Sequence, residues 1–272
     1  MFDIFNCKNR TLVMGILNVT PDSFSDGGKS FDTENAVFNA LKMESEGADI
    51  IDIGACSTAP GNTAVSLEEE LRRLKKVFPL ITTKLKIPVS VDTSNPGVAE
   101  FAVKNGAVIV NDESGIFNER MAEVVKKYGV GWVVMHTGGK SSGEICEYEN
   151  GVVNDVRDFF SYMKKEAVSY GIQENALCYD YGIGFGKTRN DDITLLKNTD
   201  KFKDFSPLLV GVSKKRVVGE ATGESETQNR VYGSVAAETL ASFLGAGILR
   251  VHDVKACADA VNMCEAIKRG YI

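Results

Sequence analysis

The chain has 272 residues, 43% hydrophobic and 25% charged, a length and balance that suit one globular domain, residues 1–272, with a large core. A formal net charge of -6 with no basic stripe argues against a nucleic-acid partner. No apolar run approaches the roughly 20 residues of a membrane helix. Residues 1–10 mix apolar, acidic and basic side chains unlike a signal peptide, so a soluble cytoplasmic protein without membrane attachment is expected.

Short β-branched runs alternate with segments of helical period along the whole chain. A strand over 12–17 leads to a helix over 33–46, for which Asp32-Thr33-Glu34 offers an N-cap. A strand over 50–53 precedes a helix over 66–84 that Ser66 can cap. A strand over 88–91 is followed by a helix over 96–105 with Pro96 in its first turn. Strands over 108–110, 132–135 and 176–179 alternate with helices over 118–128, 152–170 and 191–197. Gly106, Gly129 and Gly171 suit helix stops. Strands over 208–212 and 248–251 complete the series with helices over 230–244 and 255–268. Eight consecutive βα units, their strands apolar on both faces, predict a single (β/α)8 TIM barrel with a parallel eight-stranded core. An open doubly wound sheet is the structural alternative. The loops over 57–66 and 137–151 are long enough to be functional.

Six cysteines stand at 7, 56, 146, 178, 257 and 264, none in a CxxC pair, which signals neither a zinc site nor a disulfide framework. Cys178 falls in a strand pattern, and Cys257 and Cys264 share a helix face. Both placements predict buried, reduced thiols.

A barrel of this kind places its chemistry at the C-terminal ends of its strands. Every predicted strand ends on polar residues there: Asn18, Asp52, Asp92, Asn111-Asp112, His136, Asp180, Lys214-Lys215-Arg216 and Arg250-Val251-His252. Any one alone reads as a cap or a surface group, but eight together predict a single polar funnel. Asp92, Asn111, Asp180 and Lys215 mix donors and acceptors, which suits a planar nitrogen heterocycle. Asn18, Arg250 and His252 come from strands that become neighbours on closure, and arginine offers a fork for phosphate oxygens. The run Gly182-Ile183-Gly184-Phe185-Gly186-Lys187-Thr188 has the look of a phosphate loop, yet Tyr181 stands where a Walker motif needs its first glycine. A tight strand-to-helix turn is the other reading.

The stretch from Met14 to Gly28, MGILNVTPDSFSDGG, closely resembles the first signature of the dihydropteroate synthase family. Further matches follow in the family's order: Ser57-Thr58 with Pro60-Gly61, Val91-Asp92-Thr93, Asn111-Asp112, Asp180 with Gly182 to Lys187, Lys215, and Arg250 to Asp253. The resemblance implies a pterin site of Asp92, Asn111, Met135, Asp180, Phe185 and Lys215. It implies a diphosphate site of Asn18, Arg250 and His252, with Mg2+ carried by the diphosphate and Asn18. It implies an arylamine site of Thr58, Pro60, Phe185 and Arg216, with Asp92, Lys215, Arg250 and His252 as catalytic groups. A homodimer is also implied, as is synthesis of 7,8-dihydropteroate from a pterin diphosphate and p-aminobenzoate. A pterin-binding barrel without synthase activity, methyltransferase-like or a carrier, is the alternative.

The chain departs from the family's pattern inside the site. Cys56-Ser57-Thr58-Ala59-Pro60-Gly61 replaces the usual Glu-Ser-Thr-Arg-Pro-Gly. Glu113 stands where an apolar residue packs on the pterin, Arg216 where a serine holds the arylamine carboxylate, and Tyr181 where a proline follows the aspartate. Insensitivity to sulfonamides is one implied consequence.

Overall fold

A computed structural model of the chain describes residues 5, 7, 10–19, 29–55 and 65–270. Eight parallel strands close into a barrel in sequence order: β1 (Leu12–Asn18), β2 (Ile50–Gly54), β3 (Val89–Asp92), β4 (Ile109–Asp112), β5 (Gly131–Met135), β6 (Leu177–Asp180), β7 (Leu208–Val210) and β8 (Ile248–Val251). Leu12 pairs with Ile248 and Gly15 with Val251 where β1 meets β8. The barrel expectation holds and the open sheet does not. The outer layer consists of α1 (Lys29–Ser45), α2 (Leu67–Lys84), α3 (Pro96–Lys104), α4 (Glu119–Tyr128), α5 (Val152–Tyr170), α6 (Arg189–Lys197), α7 (Arg216–Thr222), α8 (Val231–Leu244) and α9 (Val254–Arg269). Among the described residues no helix is long and apolar enough to cross a membrane.

Local chemistry accounts for most boundaries. Ser66 accepts from the Glu69 N–H at the start of α2, and Asn95 caps α3 ahead of Pro96. Gly129 and Gly171 close α4 and α5 in the left-handed region. Two expectations need correction. The first helix begins at Lys29, so Asp32-Thr33-Glu34 lies within it rather than at its cap. The seventh strand ends at Val210, and the residues beyond it turn into α7, a seven-residue helix absent from the sequence-based reading.

Side chains alternate across each strand. Met14, Ile50, Ile109, Val133, Cys178, Leu209 and Ile248, with Phe5, form a buried cluster separate from the larger core that packs strands on helices. They fill the lower part of the barrel. Counting two residues on from each reaches Ile16, Asp52, Asn111, Met135, Asp180, Gly211 and Arg250, which therefore share the inward face. Two further on stand Asn18, Gly54, Glu113, Ser213 and His252. This parity selects the residues that face the mouth. Of the cysteines, Cys178 lies in the inner layer and Cys257 and Cys264 are buried on α9, all as free thiols. Cys56 lies outside the described residues.

Candidate active site

A cavity of about 290 Å³ opens at the C-terminal ends of the strands, lined by Asn18, Asp92, Glu113, Phe185, Lys215, Arg216, Arg250 and His252 among others. Six basic side chains (Arg189, Lys214, Lys215, Arg216, Arg230 and Arg250) face two acidic ones there, Asp92 and Glu113. An acidic protein thus gathers positive charge at one mouth.

Arg250 is clamped by carboxylates. Its Nε donates to Asp52 Oδ2 at 2.6 Å, its Nη2 to Asp92 Oδ2 at 2.6 Å, and its Nη1 stands 3.8 Å from Glu113 Oε1. Burial opposes its charge, but Asp52, Asp92 and Glu113 outweigh that and hold the guanidinium protonated. Asp52 also accepts from Asn111 Nδ2 at 3.0 Å. Burial, and then the neighbouring Glu113, pushes Asp92 well above the usual carboxylate range, while Arg250 opposes the shift. Gly54 lies inward beside this cluster: a Cβ there would sit 3.3 Å from Asp92 Oδ2 and 3.6 Å from Asn18 Oδ1. The absent side chain leaves room between Asn18 and Asp92.

Lys215 forms the opposite wall. Its Nζ donates to the Ile183 carbonyl at 2.6 Å and lies 5.0 Å from the centre of the Phe185 ring. Burial lowers its pKa, opposed by Asp180 and Glu113. Asp180 is raised by burial, opposed by Lys215 and by the Gly182 N–H, which donates to Asp180 Oδ1 at 2.7 Å. Lys215 owes its direction to Lys214, which adopts φ +58, a left-handed conformation rare outside glycine. Three contacts hold that turn. The Lys214 N–H donates to Ser234 Oγ at 2.8 Å, its carbonyl accepts from Arg230, and its ammonium pairs with Asp253 at 2.9 Å.

At the rim, His252 donates its backbone N–H to Ser213 Oγ. Desolvation in the pocket, then the charges of Arg250 and Lys214, push its imidazole down to about 4, so the ring is neutral at pH 7. Arg216 is exposed at the start of α7 and lines the cavity. Among the described residues it makes neither a hydrogen bond nor an ion pair.

The other expected residues fall in three places. Asn111, Met135 and Asp180 are buried on the inward face of the strands beneath the open cavity. Thr58 and Pro60 lie outside the described residues. Asp112 and His136 do not join the funnel, which corrects the expectation that all eight strand ends converge. Asp112 accepts from Trp132 Nε1 and caps the Ser114 N–H. His136 bonds Asp155 Oδ1 at 2.8 Å and Lys187 Nζ at 3.0 Å. Both sit one residue off the inward parity and so point to the helix layer.

The glycine run after β6 is a tight turn lining the pocket, not a phosphate cradle. A Cβ at Gly182 or Gly186 would stand 2.1 Å from the carbonyl oxygen of His136 or Thr137. The backbone therefore presses on the loop after β5, and Lys187 is spent on the carbonyls of His136 and Phe185. Sequence reasoning missed Arg230, which joins the carbonyls of Lys214, Glu224 and Ser225, and it left Glu113 as a departure rather than a site residue.

A parallel barrel with a cationic mouth above a floor of carboxylates defines an enzyme site for an anionic, N–H-bearing heterocycle. The family described as Pterin binding enzyme matches residues 14–252. A dihydropteroate synthase of Synechocystis is 39% identical over 98% of this chain and 93% of its own length, and one of Bacillus subtilis is 39% identical over 96% and 90%. A solved Xanthomonas albilineans dihydropteroate synthase with 4-aminobenzoic acid is 42% identical, with TM-score 0.89 over 96% of this chain and 94% of that one. A Yersinia pestis dihydropteroate synthase in a sulfonamide drug complex is 38% identical, with TM-score 0.88 over 96% and 95%. The chain belongs to the dihydropteroate synthase family, the pterin-binding transferases of folate biosynthesis.

Proposed function

We propose that this chain, as one pterin-binding barrel domain, joins 6-hydroxymethyl-7,8-dihydropterin diphosphate to p-aminobenzoate, releasing diphosphate and 7,8-dihydropteroate. The observation that carries the reading is the pairing of two subsites in one cavity. Asn18, Arg250 and His252 stand at the β1–β8 seam, and Asp92 and Lys215 face each other beside them.

In this reading the ring lies over Asp92, Asn111, Met135 and Asp180, with Phe185 and Lys215 closing its other side. Asp180 accepts ring N–H groups and Lys215 donates to the ring's carbonyl edge. The bond between the ring's exocyclic methylene carbon and the diphosphate oxygen breaks with its electron pair leaving on the diphosphate, the amine nitrogen bonds to that carbon, and the proton it sheds passes to the released diphosphate or to water. Positive charge develops on carbon as the leaving group departs, and Asp92 offsets it when ionised. Arg250 donates to the departing oxygens, and His252, neutral, adds a hydrogen bond rather than a charge. Among the described residues no cluster of three or more His, Cys, Asp or Glu could hold a metal. Asn18, with its amide oxygen at the mouth, fits a Mg2+ that brings its own ligands on the diphosphate and in water. Such an ion supplies charge neutralisation to the leaving group. The arylamine enters past Phe185 and Arg216; Thr58 and Pro60, which the family resemblance assigns to its site, lie outside the described residues.

The homodimer implied by the family is supported by α8 and α9, which expose Leu240, Phe243, Met263 and Ile267 to solvent, an apolar face suited to a second copy. Incubation with the pterin diphosphate, Mg2+ and p-aminobenzoate tests the activity. Amine-dependent diphosphate release with formation of dihydropteroate is expected. Ring binding without release would leave a pterin-binding barrel that is no synthase.

A further inference from the structure

We infer that Glu113 is a ring-binding residue, whose free carboxylate oxygen accepts an N–H of the bound heterocycle and so favours the reduced ring over its oxidised form. The inference rests on the pterin-binding reading above and adds a contact to it. Glu113 follows β4 on the inward parity, two residues beyond Asn111, and lines the cavity with Asp92. Its side chain is 11% exposed. Oε1 faces Arg250 Nη1 at 3.8 Å, and Oε2 is buried with no hydrogen-bond partner among the described residues.

A buried carboxylate oxygen without a donor is costly, so a ligand that donates to it gains that free energy. The chemistry of the cavity restricts the donor. Diphosphate and a benzoate carboxylate are both anions and are repelled. A dihydropterin ring offers N–H groups, and it carries one at N8 that the oxidised, fully aromatic ring lacks. The neighbouring carboxylates each have one oxygen engaged, Asp92 Oδ2 by Arg250 Nη2 and Asp180 Oδ1 by the Gly182 N–H, which leaves each a single oxygen for the ring. Glu113 therefore supplies acceptor capacity that an apolar residue at this position cannot.

Calorimetric titration with 6-hydroxymethyl-7,8-dihydropterin and with oxidised 6-hydroxymethylpterin tests this on the unaltered protein, Glu113→Gln and Glu113→Ile. The unaltered protein is expected to prefer the reduced ring. Loss of a charge-assisted hydrogen bond should shrink that preference about tenfold or more in Glu113→Ile. Glu113→Gln, which keeps a carbonyl acceptor of the same shape, should lose a smaller part and serves if the isoleucine variant does not fold. If Glu113 only balanced the charge of Arg250, both rings would weaken equally, and an unchanged ratio in both variants overturns the inference. Failure of the unaltered protein to bind either ring would instead overturn the functional reading.

Discussion

Arg250 Nη2 and Asp92 Oδ2 stand 2.6 Å apart, tying the last strand of the barrel to the third across the floor of the cavity. The same guanidinium holds Asp52 at 2.6 Å. One side chain thus neutralises the floor with its Nε and Nη2, while its Nη1 stands 3.8 Å from Glu113 Oε1.

Arg250→Ala should therefore damage fold and function together. Removing one partner of a buried ion network costs about 3–5 kcal/mol. Protonation of Asp92, which burial and Glu113 already favour, offsets part of this, so the lower end is expected. Arg250→Lys should recover only part, since an ammonium cannot bridge two carboxylates as a planar fork does. Denaturant unfolding measures the loss, and calorimetry should find diphosphate affinity reduced more than pterin affinity. Unfolding identical to that of the unaltered protein would show that the carboxylates do not depend on Arg250.

Asp180 carries two duties that one substitution must separate. It accepts the Gly182 N–H at 2.7 Å, and it stands beneath the cavity beside Lys215. Asp180→Ala would loosen the turn at Gly182 as well as the ring site. Asp180→Asn keeps an oxygen for Gly182 but removes the charge and one acceptor. It should weaken pterin binding by about 2 kcal/mol with little change in stability. Unchanged pterin affinity by calorimetry would remove Asp180 from the ring site.

The barrel was legible because each strand is an apolar run buried on both faces and each helix has a cap or a glycine stop. The short helix α7 was not. Its first turn follows Lys214 and Lys215, its N-cap Lys215 makes no side-chain cap bond, and its seven residues show too little periodicity. The polar strand ends were legible as a set, but their direction was misjudged. Asp112 and His136 are one residue off the parity of Asn111 and Met135, a distinction that strict alternation along the strand already contains. The clamp on Arg250 had no sequence signal, because Asp52 and Asp92 lie 198 and 158 residues away and only closure of the barrel brings them together.

Glu238 should give the fold a pH dependence near neutrality. It is 2% exposed on α8, against Ser213 and Cys257, and burial raises its pKa to about 7, opposed by those two neighbours and by Lys214. A carboxyl raised in the folded state contributes stability below the unfolded value, near 4.5, that is lost as pH rises to the folded value, near 7. The full span corresponds to at most about 3 kcal/mol. Glu238→Gln removes this titration, so it should gain stability relative to the unaltered protein between pH 5 and pH 8. Parallel denaturant curves at the two pH values check it. The same pH slope in both proteins would show that Glu238 is not the titrating group.

Arg216 should set the response to arylamines and their mimics. It opens α7, whose first turn holds no acidic residue, and a cation there sits at the unfavourable end of the helix dipole. No partner compensates among the described residues. Glu220, one turn on, is engaged by Arg189 at 3.3 Å instead. An exposed guanidinium at the cavity mouth, unpaired among the described residues, can fork a carboxylate entering with the arylamine. A serine in its place would make only a neutral hydrogen bond. A carboxylate rewards the arginine more than a sulfonyl group does, because its full charge rests on two parallel oxygens. Arg216→Ser is therefore expected to raise the KM for p-aminobenzoate and to strengthen inhibition by a sulfonamide, relative to p-aminobenzoate, by about tenfold, one charge-assisted bond exchanged for a neutral one. Steady-state kinetics with p-aminobenzoate and a sulfonamide, on the unaltered protein and on Arg216→Ser, decide the matter. Strong and equal sulfonamide inhibition in both would show that Arg216 points past the arylamine and leaves its recognition to other groups.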